Sequence, residues 1–93
     1  PPKFDDHETT FAQLQERIAK TIAFADSITP AQIDGTEAKE ITFSIKEWNF
    51  EFVGNQYLFA WIIPNFYFHI TTAYNILRHN GVEIGKRDYL GKV

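Results

Sequence analysis

Hydrophobic residues recur with helical spacing in two separate stretches of this chain. In the first stretch they are separated by steps of three and four residues, at Phe11, Leu14, Ile18, Ile22 and Ala25. Such steps place side chains along one face of an α-helix, because the helix completes a turn every 3.6 residues. The pattern therefore predicts an amphipathic helix that buries one apolar stripe.

Local signals indicate where this first helix begins and ends. Asp6, Thr9 and Thr10 are candidate N-caps, and Gln13 follows Thr10 by three residues in the arrangement of a capping box. Thr29 precedes a proline, and a residue in that position avoids helical geometry. The helix is therefore predicted to end there.

A turn-rich connection over residues 31–39 leads into two short segments, 41–45 and 48–52, in which large apolar residues alternate with polar ones. Alternation with a period of two is typical of β-strands with one buried face. A two-residue turn at Lys46 and Glu47 would put six apolar residues on one face, pairing Ile45 with Trp48, Phe43 with Phe50 and Ile41 with Phe52. We therefore predict a β-hairpin, although neither turn residue is of the type that favours a positive φ.

The second helical stretch would run from Asn55 to Asn80 if Pro64 did not interrupt it. Proline lacks an amide hydrogen and its ring crowds the preceding turn, so we predict a kink or a break at Pro64, with the helical geometry disturbed between Ala60 and Pro64. Beyond the proline, the residues predicted to face inward are Phe66, Ile70, Ala73 and Leu77. Asn80 followed by glycine is typical of a helix end, and the tail over residues 85–91 is predicted to be irregular.

Asn65 and His69 are the first candidates for a functional site. They lie four residues apart, hence one turn apart on the predicted helix, beside its inward stripe. A buried polar side chain is unfavourable unless it finds a partner, which here could be a metal ion, a ligand or another side chain. His69 could equally be a core histidine, and Asn65 could be a local cap for backbone groups that Pro64 leaves unpaired. Tyr74 is a candidate for the edge of a pocket, with helix packing as its alternative.

Composition predicts that the chain does not fold alone. Its 93 residues are 44% hydrophobic and 16% aromatic, which is more apolar surface than two long helices and a hairpin can bury. The stable solution for such helices is usually a bundle of four. We therefore expect a missing N-terminal segment of the same protein or a second subunit, as in a homodimer, to cover them. The chain also has no Met and starts with two prolines, which indicates a processed or truncated sequence.

Charge and cysteine content exclude several classes of partner and site. A net charge of −3 and a pI of about 5.5 argue against a surface for nucleic acid or anionic membrane. No apolar run approaches the roughly 20 residues of a membrane span, and no signal peptide is visible. The absence of cysteine excludes disulfides and thiolate metal sites. The expected location is cytoplasmic.

Three segments of the chain resemble one bacterial family of unknown function. They are residues 64–82, which read PNFYFHITTAYNILRHNGV, residues 8–24, which read ETTFAQLQERIAKTIAF, and residues 85–91, which read GKRDYLG. That family belongs to the DinB/YfiT-like metalloenzymes, and the resemblance extends over essentially all 93 residues. It implies a mainly α fold in which residues 1–93 are the C-terminal half of a single DinB-like four-helix bundle, with an inserted β-hairpin and two further helices ahead of Pro1.

The resemblance also implies a site. In the superfamily a divalent metal, zinc or nickel, is held by three histidines, two of which lie four residues apart in the last helix. Aligning the helix ends places His69 at one of these two positions and Asn65 at the other. A neutral carboxamide oxygen binds zinc or nickel more weakly than imidazole does. We therefore expect weak metal binding or none, and no three-histidine site from this chain alone.

Two functions follow from these observations. The resemblance implies ancestry among metal-dependent, thiol-linked transferases or isomerases, in which a metal lowers the pKa of a bound water or thiol. The asparagine at position 65 favours instead a non-catalytic bundle that binds a small ligand or serves as a dimeric interaction module. The sequence leaves open whether the protein is an enzyme.

Overall fold

The first predicted helix is α1, Phe11–Asp26, in the computed structural model, which describes residues 2–92. The hydroxyl of its N-cap, Thr10, accepts a hydrogen bond from the Gln13 amide, and the Gln13 side chain accepts one from the Thr10 amide. The predicted capping box is thus confirmed. The helix ends before Ser27, whose hydroxyl donates to the Phe24 carbonyl over 2.6 Å.

A short helix, α2, Pro30–Ile33, occupies part of the segment that was predicted to be a turn-rich connection. Proline stands at its first position, where an amide hydrogen has no helical partner to lose. The Gln32 side chain accepts a hydrogen bond from the Thr29 amide over 2.7 Å, as Gln13 does for Thr10 at the start of α1. The prediction missed α2 because it treated the proline only as the end of one helix.

The hairpin forms with the predicted register. Strands β1, Glu40–Ile45, and β2, Trp48–Val53, pair in antiparallel fashion, with Ile45 opposite Trp48, Phe43 opposite Phe50 and Ile41 opposite Phe52. In the turn, Lys46 takes a φ of 53°, a left-handed conformation that a side chain disfavours. The apolar pattern of the strands therefore determines the register, in spite of an unfavourable turn residue.

The apolar face of the hairpin packs against the helix that follows it. The rings of Phe43, Phe50 and Phe52 lie beside Trp61, and the closest pair, Phe50 and Trp61, have centroids 4.7 Å apart. Tyr57 completes the cluster at 5.7 Å from both Phe43 and Phe52. All five side chains are half-buried. The chain divides into two units, Pro1–Gly35 and Thr36–Val93, and this cluster is the packed centre of the second.

The connection from sheet to helix requires a glycine. A short helix, α3, Gly54–Gln56, begins directly after β2. A Cβ atom at Gly54 would collide with the carbonyl oxygen of Thr36, and the adjacent Asn55 amide donates to the Glu37 carbonyl over 3.0 Å. Two backbone segments therefore approach each other here at a distance that only glycine permits.

The helix is π-helical from Tyr57 to Ile62 and continues without interruption as α4, Ile63–His79. At the junction the Ile63 amide donates to the carbonyl of Leu58, five residues earlier. Pro64 stands in the first turn of α4. The helical geometry is thus disturbed ahead of the proline, as predicted, and the disturbance takes the form of a π-helical segment.

Helix α4 ends in a Schellman motif. Gly81 has a φ of 87°, its amide donates to the Arg78 carbonyl, and the Val82 amide donates to the Leu77 carbonyl, each over 3.1 Å. Glycine is favoured at such a position because it has no Cβ atom. The predicted end of this helix is confirmed.

Residues 85–91 contain a short helix, α5, Lys86–Leu90, so the prediction of an irregular tail was wrong. Asp88 accepts a hydrogen bond from the Gly85 amide over 2.8 Å, and the Tyr89 ring packs on α4. A helix of five residues has little stability of its own and depends on such contacts. Those contacts are not visible in the sequence pattern.

The fold is mainly helical with one two-stranded sheet, as predicted. Within residues 2–92 the long helices are α1 and α4, with 16 and 17 residues, so the four-helix bundle and the single domain over 1–93 stay predictions. None of these described residues is buried, and the predicted inward stripe of α4 is exposed, since apolar helix faces need a facing layer to be buried.

No helix in this part of the chain is long and apolar enough to cross a membrane.

Candidate functional site

Asn65 and His69 lie one turn apart in the first part of α4. Four residues of α-helix rotate by about 400°, so the two side chains project within about 40° of each other. Both residues are exposed, and the apolar Phe66 and Ile70 lie next to them on the helix. The structure therefore brings these two predicted site residues together on one face.

The side chain of Asn65 has a backbone partner. Its nitrogen Nδ2 donates a hydrogen bond over 2.8 Å to the carbonyl of Trp61, which belongs to the π-helical segment. This is the local-cap role that the sequence left open beside a role in lining a site. Within residues 2–92 this hydrogen bond uses Nδ2, and the oxygen Oδ1 has no hydrogen-bond partner.

The His69 ring stands edge-on to Phe68, with centroids 5.3 Å apart. Within the described part of the chain neither ring nitrogen has a hydrogen-bond partner, and the residue is exposed. A core histidine would be buried and hydrogen-bonded. Because none of residues 2–92 is buried, this exposure does not separate a ligand role for His69 from that of a core histidine, and both readings stay predictions.

Tyr74 lies on the opposite side of α4 from Asn65, because nine residues of α-helix make about two and a half turns. Its hydroxyl accepts a hydrogen bond from Arg78 Nη1 over 3.0 Å. Its ring stands edge-on to Tyr89 of α5, with centroids 5.6 Å apart. The structure thus separates Tyr74 from the other two candidates and joins it to α5.

The face that carries Asn65 and His69 has little capacity for metal. Among residues 2–92, no three His, Cys, Asp or Glu side chains come close enough to hold a metal ion. Asn65 and His69 could supply two ligands, whereas a zinc site in proteins takes about four, with at least three from side chains. A carboxamide oxygen is also the weaker kind of ligand for zinc or nickel. The residues present fit part of such a site and not a complete one.

The part of the chain that carries this face contains no charged residue over a long stretch. The stretch from Phe52 to Leu77, called here the uncharged stretch, contains no Asp, Glu, Lys or Arg. Several of its large apolar side chains are exposed, including Phe59 at 65% and Phe68 at 64%. A helix that faces water usually carries charged residues on its outer side. The uncharged stretch is therefore suited to contact with an apolar partner.

A separate ionic cluster holds the segment before α1 against that helix. Arg17 Nη1 donates to the carboxylates of Asp6 and Glu8, over 2.8 and 2.9 Å, and the guanidinium lies 5.6 Å from the centroid of the Phe4 ring. A backbone hydrogen bond at Glu8, followed by the bond from Arg17, holds the pKa of Glu8 below its usual value. Because Arg17 donates hydrogen bonds to both carboxylates, we interpret the cluster as a structural clamp rather than a ligand site.

Comparison with protein families and solved structures identifies relatives of this chain. A family model described as a domain of unknown function (DUF1993) matches residues 1–90. The crystal structure of a DinB family member protein from Shewanella denitrificans is similar to this chain at 46% sequence identity and a TM-score of 0.83. The match covers 99% of this chain and 51% of that one, so the chain spans about half the length of its structural relative. No curated protein matches the chain.

Proposed function

Because the chain belongs to the DUF1993 family of domains of unknown function and is DinB-like, we propose that it is part of a four-helix bundle with a degenerate ligand site at Asn65 and His69. The site takes a small polar ligand or a weakly held divalent metal. The remaining helices of the bundle would come from a further segment of the same protein. The solved relative, which is about twice as long as this chain, supports that assignment.

One observation carries the proposal. Asn65 and His69 lie on the same face of α4; Asn65 Nδ2 donates to the Trp61 carbonyl, and among residues 2–92 neither Asn65 Oδ1 nor the His69 ring has a hydrogen-bond partner. An amide oxygen accepts a hydrogen bond, and a neutral imidazole donates from one nitrogen and accepts at the other. This pair can orient a polar ligand, and the exposed apolar residues beside it would exclude water once a neighbouring helix covers them.

The pair is less suited to metal chemistry. A catalytic zinc site holds three protein ligands and keeps one position for water or substrate. Asn65 and His69 provide one strong and one weak ligand, and among residues 2–92 no acidic or histidine side chain completes the set. We therefore propose ligand binding as the present function and a metal-dependent, thiol-linked transferase or isomerase as its ancestry.

The experiment that tests this proposal measures metal in the intact protein. Elemental analysis by plasma mass spectrometry should find clearly less than one zinc or nickel per chain. In calorimetric titrations with zinc, Asn65→His should raise the affinity about tenfold or more, because a second imidazole joins the first. His69→Ala should abolish the weak binding that remains.

His79→Ala is the matched control, because it removes a histidine from the last turn of the same helix. It should leave the zinc affinity unchanged. An Asn65→His protein without any gain in affinity for zinc or nickel would contradict the site. A stoichiometric metal in the unmodified protein would contradict the proposal that its metal binding is weak.

A second candidate function, a dimeric interaction module, is favoured by the uncharged stretch. Exposed apolar patches of this kind are uncommon on isolated monomers, and Phe59, Phe66 and Phe68 are each more than half exposed. A contact between two copies places one patch against itself, so a patch without charge brings no like charges together. Light scattering of the intact protein should therefore show a dimer, and Phe68→Glu should shift it toward the monomer. A monodisperse monomer that unfolds cooperatively would remove this candidate.

A further inference from the structure

A groove lies between α4 and α5, on the side of α4 that is turned away from Asn65. It has a volume of about 310 Å³ and is lined by Thr71, Tyr74, Asn75, Lys86 and Tyr89. The two tyrosine rings stand edge to face, with centroids 5.6 Å apart. We call the two tyrosine rings the aromatic floor of the groove, and the side chains of Thr71, Asn75 and Lys86 its rim.

The rim is rich in hydrogen-bond donors. The hydroxyl oxygens of Thr71 and Tyr89 lie 3.0 Å apart and share one hydrogen bond. That bond uses one of the two hydroxyl hydrogens, so the other hydrogen is available to donate to a ligand. The Tyr74 hydroxyl accepts from Arg78, which leaves its own hydrogen to donate. Lys86 has no ion pair among residues 2–92. An acceptor placed in the groove would find several donors at once.

The charge in the groove is positive. Lys86 lines it, Arg78 reaches its edge at the Tyr74 hydroxyl, and no carboxylate is among its lining residues. The nearby carboxylate of Asp88 accepts a hydrogen bond from the Gly85 amide and lines a different depression. In a chain with a net charge of −3, this is a local site that favours an anion.

We propose that this groove binds a small aromatic carboxylate. The ring of the ligand packs on the two tyrosine rings, as aromatic pairs prefer edge-to-face and offset arrangements. Its carboxylate accepts hydrogen bonds from Lys86 and from the tyrosine and threonine hydroxyls. The single carboxylate of the ligand pairs with Lys86, the one lysine on the rim, and the aromatic ring of the ligand packs on the two tyrosine rings.

This site goes beyond the proposed function and does not depend on it. Tyr74 lies about half a turn around α4 from Asn65, so a ligand in the groove does not touch the Asn65–His69 face. Binding in the groove should be unchanged in an Asn65→Ala, His69→Ala protein. Failure of one proposal therefore leaves the other standing.

Benzoate is the probe for the test. In a titration followed by NMR, benzoate should shift the amide signals of Lys86 and Tyr89 in a saturable manner, whereas benzamide, which has the same shape but no charge, should bind more weakly. Lys86→Glu should weaken benzoate binding about tenfold or more, because it places like charges together. The new carboxylate would stand in the first turn of α5, where negative charge is compatible with the helix dipole, so α5 should still form.

Lys92→Glu is the matched control, because it makes the same change of charge outside the groove. Tyr74→Phe, which keeps the ring and removes the hydroxyl, should weaken binding less than Lys86→Glu does. The proposal is overturned if Lys86→Glu and Lys92→Glu have equal effects, or if benzamide binds as well as benzoate. It is also overturned if inorganic phosphate binds as tightly as benzoate, since the aromatic floor would then contribute nothing.

Discussion

The side chain of Asn65 donates a hydrogen bond to the backbone carbonyl of Trp61 over 2.8 Å, across the junction between the π-helical segment and α4. Trp61 also belongs to the aromatic cluster at the hairpin, where its ring centroid lies 4.7 Å from that of Phe50. One asparagine thus connects the candidate site to the packed centre of its unit. Substitutions at position 65 consequently have a structural effect as well as an effect on ligand binding.

Asn65→Ala should destabilise the protein by about 1 kcal/mol, the typical contribution of one hydrogen bond. The change leaves the Trp61 carbonyl without its side-chain donor and removes the local cap at the junction. Chemical denaturation followed by tryptophan fluorescence would measure the free energy of unfolding. Asn75→Ala, on the same helix, is the control and should have a smaller effect, because the Asn75 side chain has no hydrogen-bond partner among residues 2–92. Equal effects of the two substitutions would show that the Asn65 bond is not stabilising.

Gly54→Ala should destabilise the protein by about 2 kcal/mol or more, because the new Cβ atom meets the Thr36 carbonyl and the backbone must move. Gly85→Ala is a suitable comparison, since a Cβ atom there would come no closer than 4.0 Å to a side-chain atom of Asp88. Thermal unfolding of both variants measures the difference. If Gly54→Ala were as stable as Gly85→Ala, the backbone at Gly54 would not lie as close to the Thr36 carbonyl as described.

Lys46→Gly should stabilise the hairpin by a few tenths of a kcal/mol. It relieves the left-handed conformation at a φ of 53°, and the greater freedom of glycine in the unfolded chain offsets part of the gain. Glu47→Gly adds the same conformational freedom to the unfolded chain, but Glu47 has no positive φ for the glycine to relieve. This substitution should therefore destabilise the hairpin. The two melting temperatures should therefore move in opposite directions, and a decrease for Lys46→Gly would contradict the turn geometry.

The segment before α1 should detach from the helix in acid. The backbone hydrogen bond at Glu8 and the bond from Arg17 lower the pKa of Glu8 from its ordinary 4.5. A lowered pKa in the folded state means that the carboxylate stabilises the fold above pH 4.5, and that this contribution is lost as the pH falls through the lowered value. NMR titration of the Glu8 carboxyl carbon should give the lowered midpoint and, in parallel, show changes in the amide signals of the segment.

Glu8→Gln should remove this acid transition. Glu16→Gln is the control: the pKa of Glu16 is lowered by Lys20 alone, in an exposed pair within α1, so its loss should leave the segment before the helix in place. A Glu8 carboxyl that titrates at its ordinary value would show that the clamp at Arg17 does not form in solution.

The sequence predicted those elements whose residues repeat with a period. The register of Phe43 and Phe50 follows from alternation, because a shift by one residue would turn the apolar side chains to water. The capping box at Thr10 is equally local. The short helix α5 has no periodic pattern and forms through contacts with α4, and the pairing of Arg17 with Asp6 joins residues that no short motif relates. Local patterns do not encode such contacts.

The sequence likewise predicted one part of the candidate site and not another. The shared face of Asn65 and His69 follows from their spacing of four residues, and the structure shows it. Tyr74 was predicted as a candidate for the edge of the same pocket, but nine residues of α-helix place it about half a turn around α4 from Asn65. What the pattern could not give is the partner of Tyr74, since Tyr89 lies on a helix that the sequence did not indicate.

The absence of charge from Phe52 to Leu77 has a consequence for how this protein responds to ionic strength. Dissolved salt screens interactions between exposed charges over a Debye length of about 8 Å at physiological concentration, so the clamp at Arg17 weakens as salt is added. Contacts made by Phe59 or Phe68 involve no charge to screen, and excluded salts such as sulfate strengthen the burial of apolar surface. High sulfate would thus loosen the segment before α1 while tightening any assembly formed through the uncharged stretch.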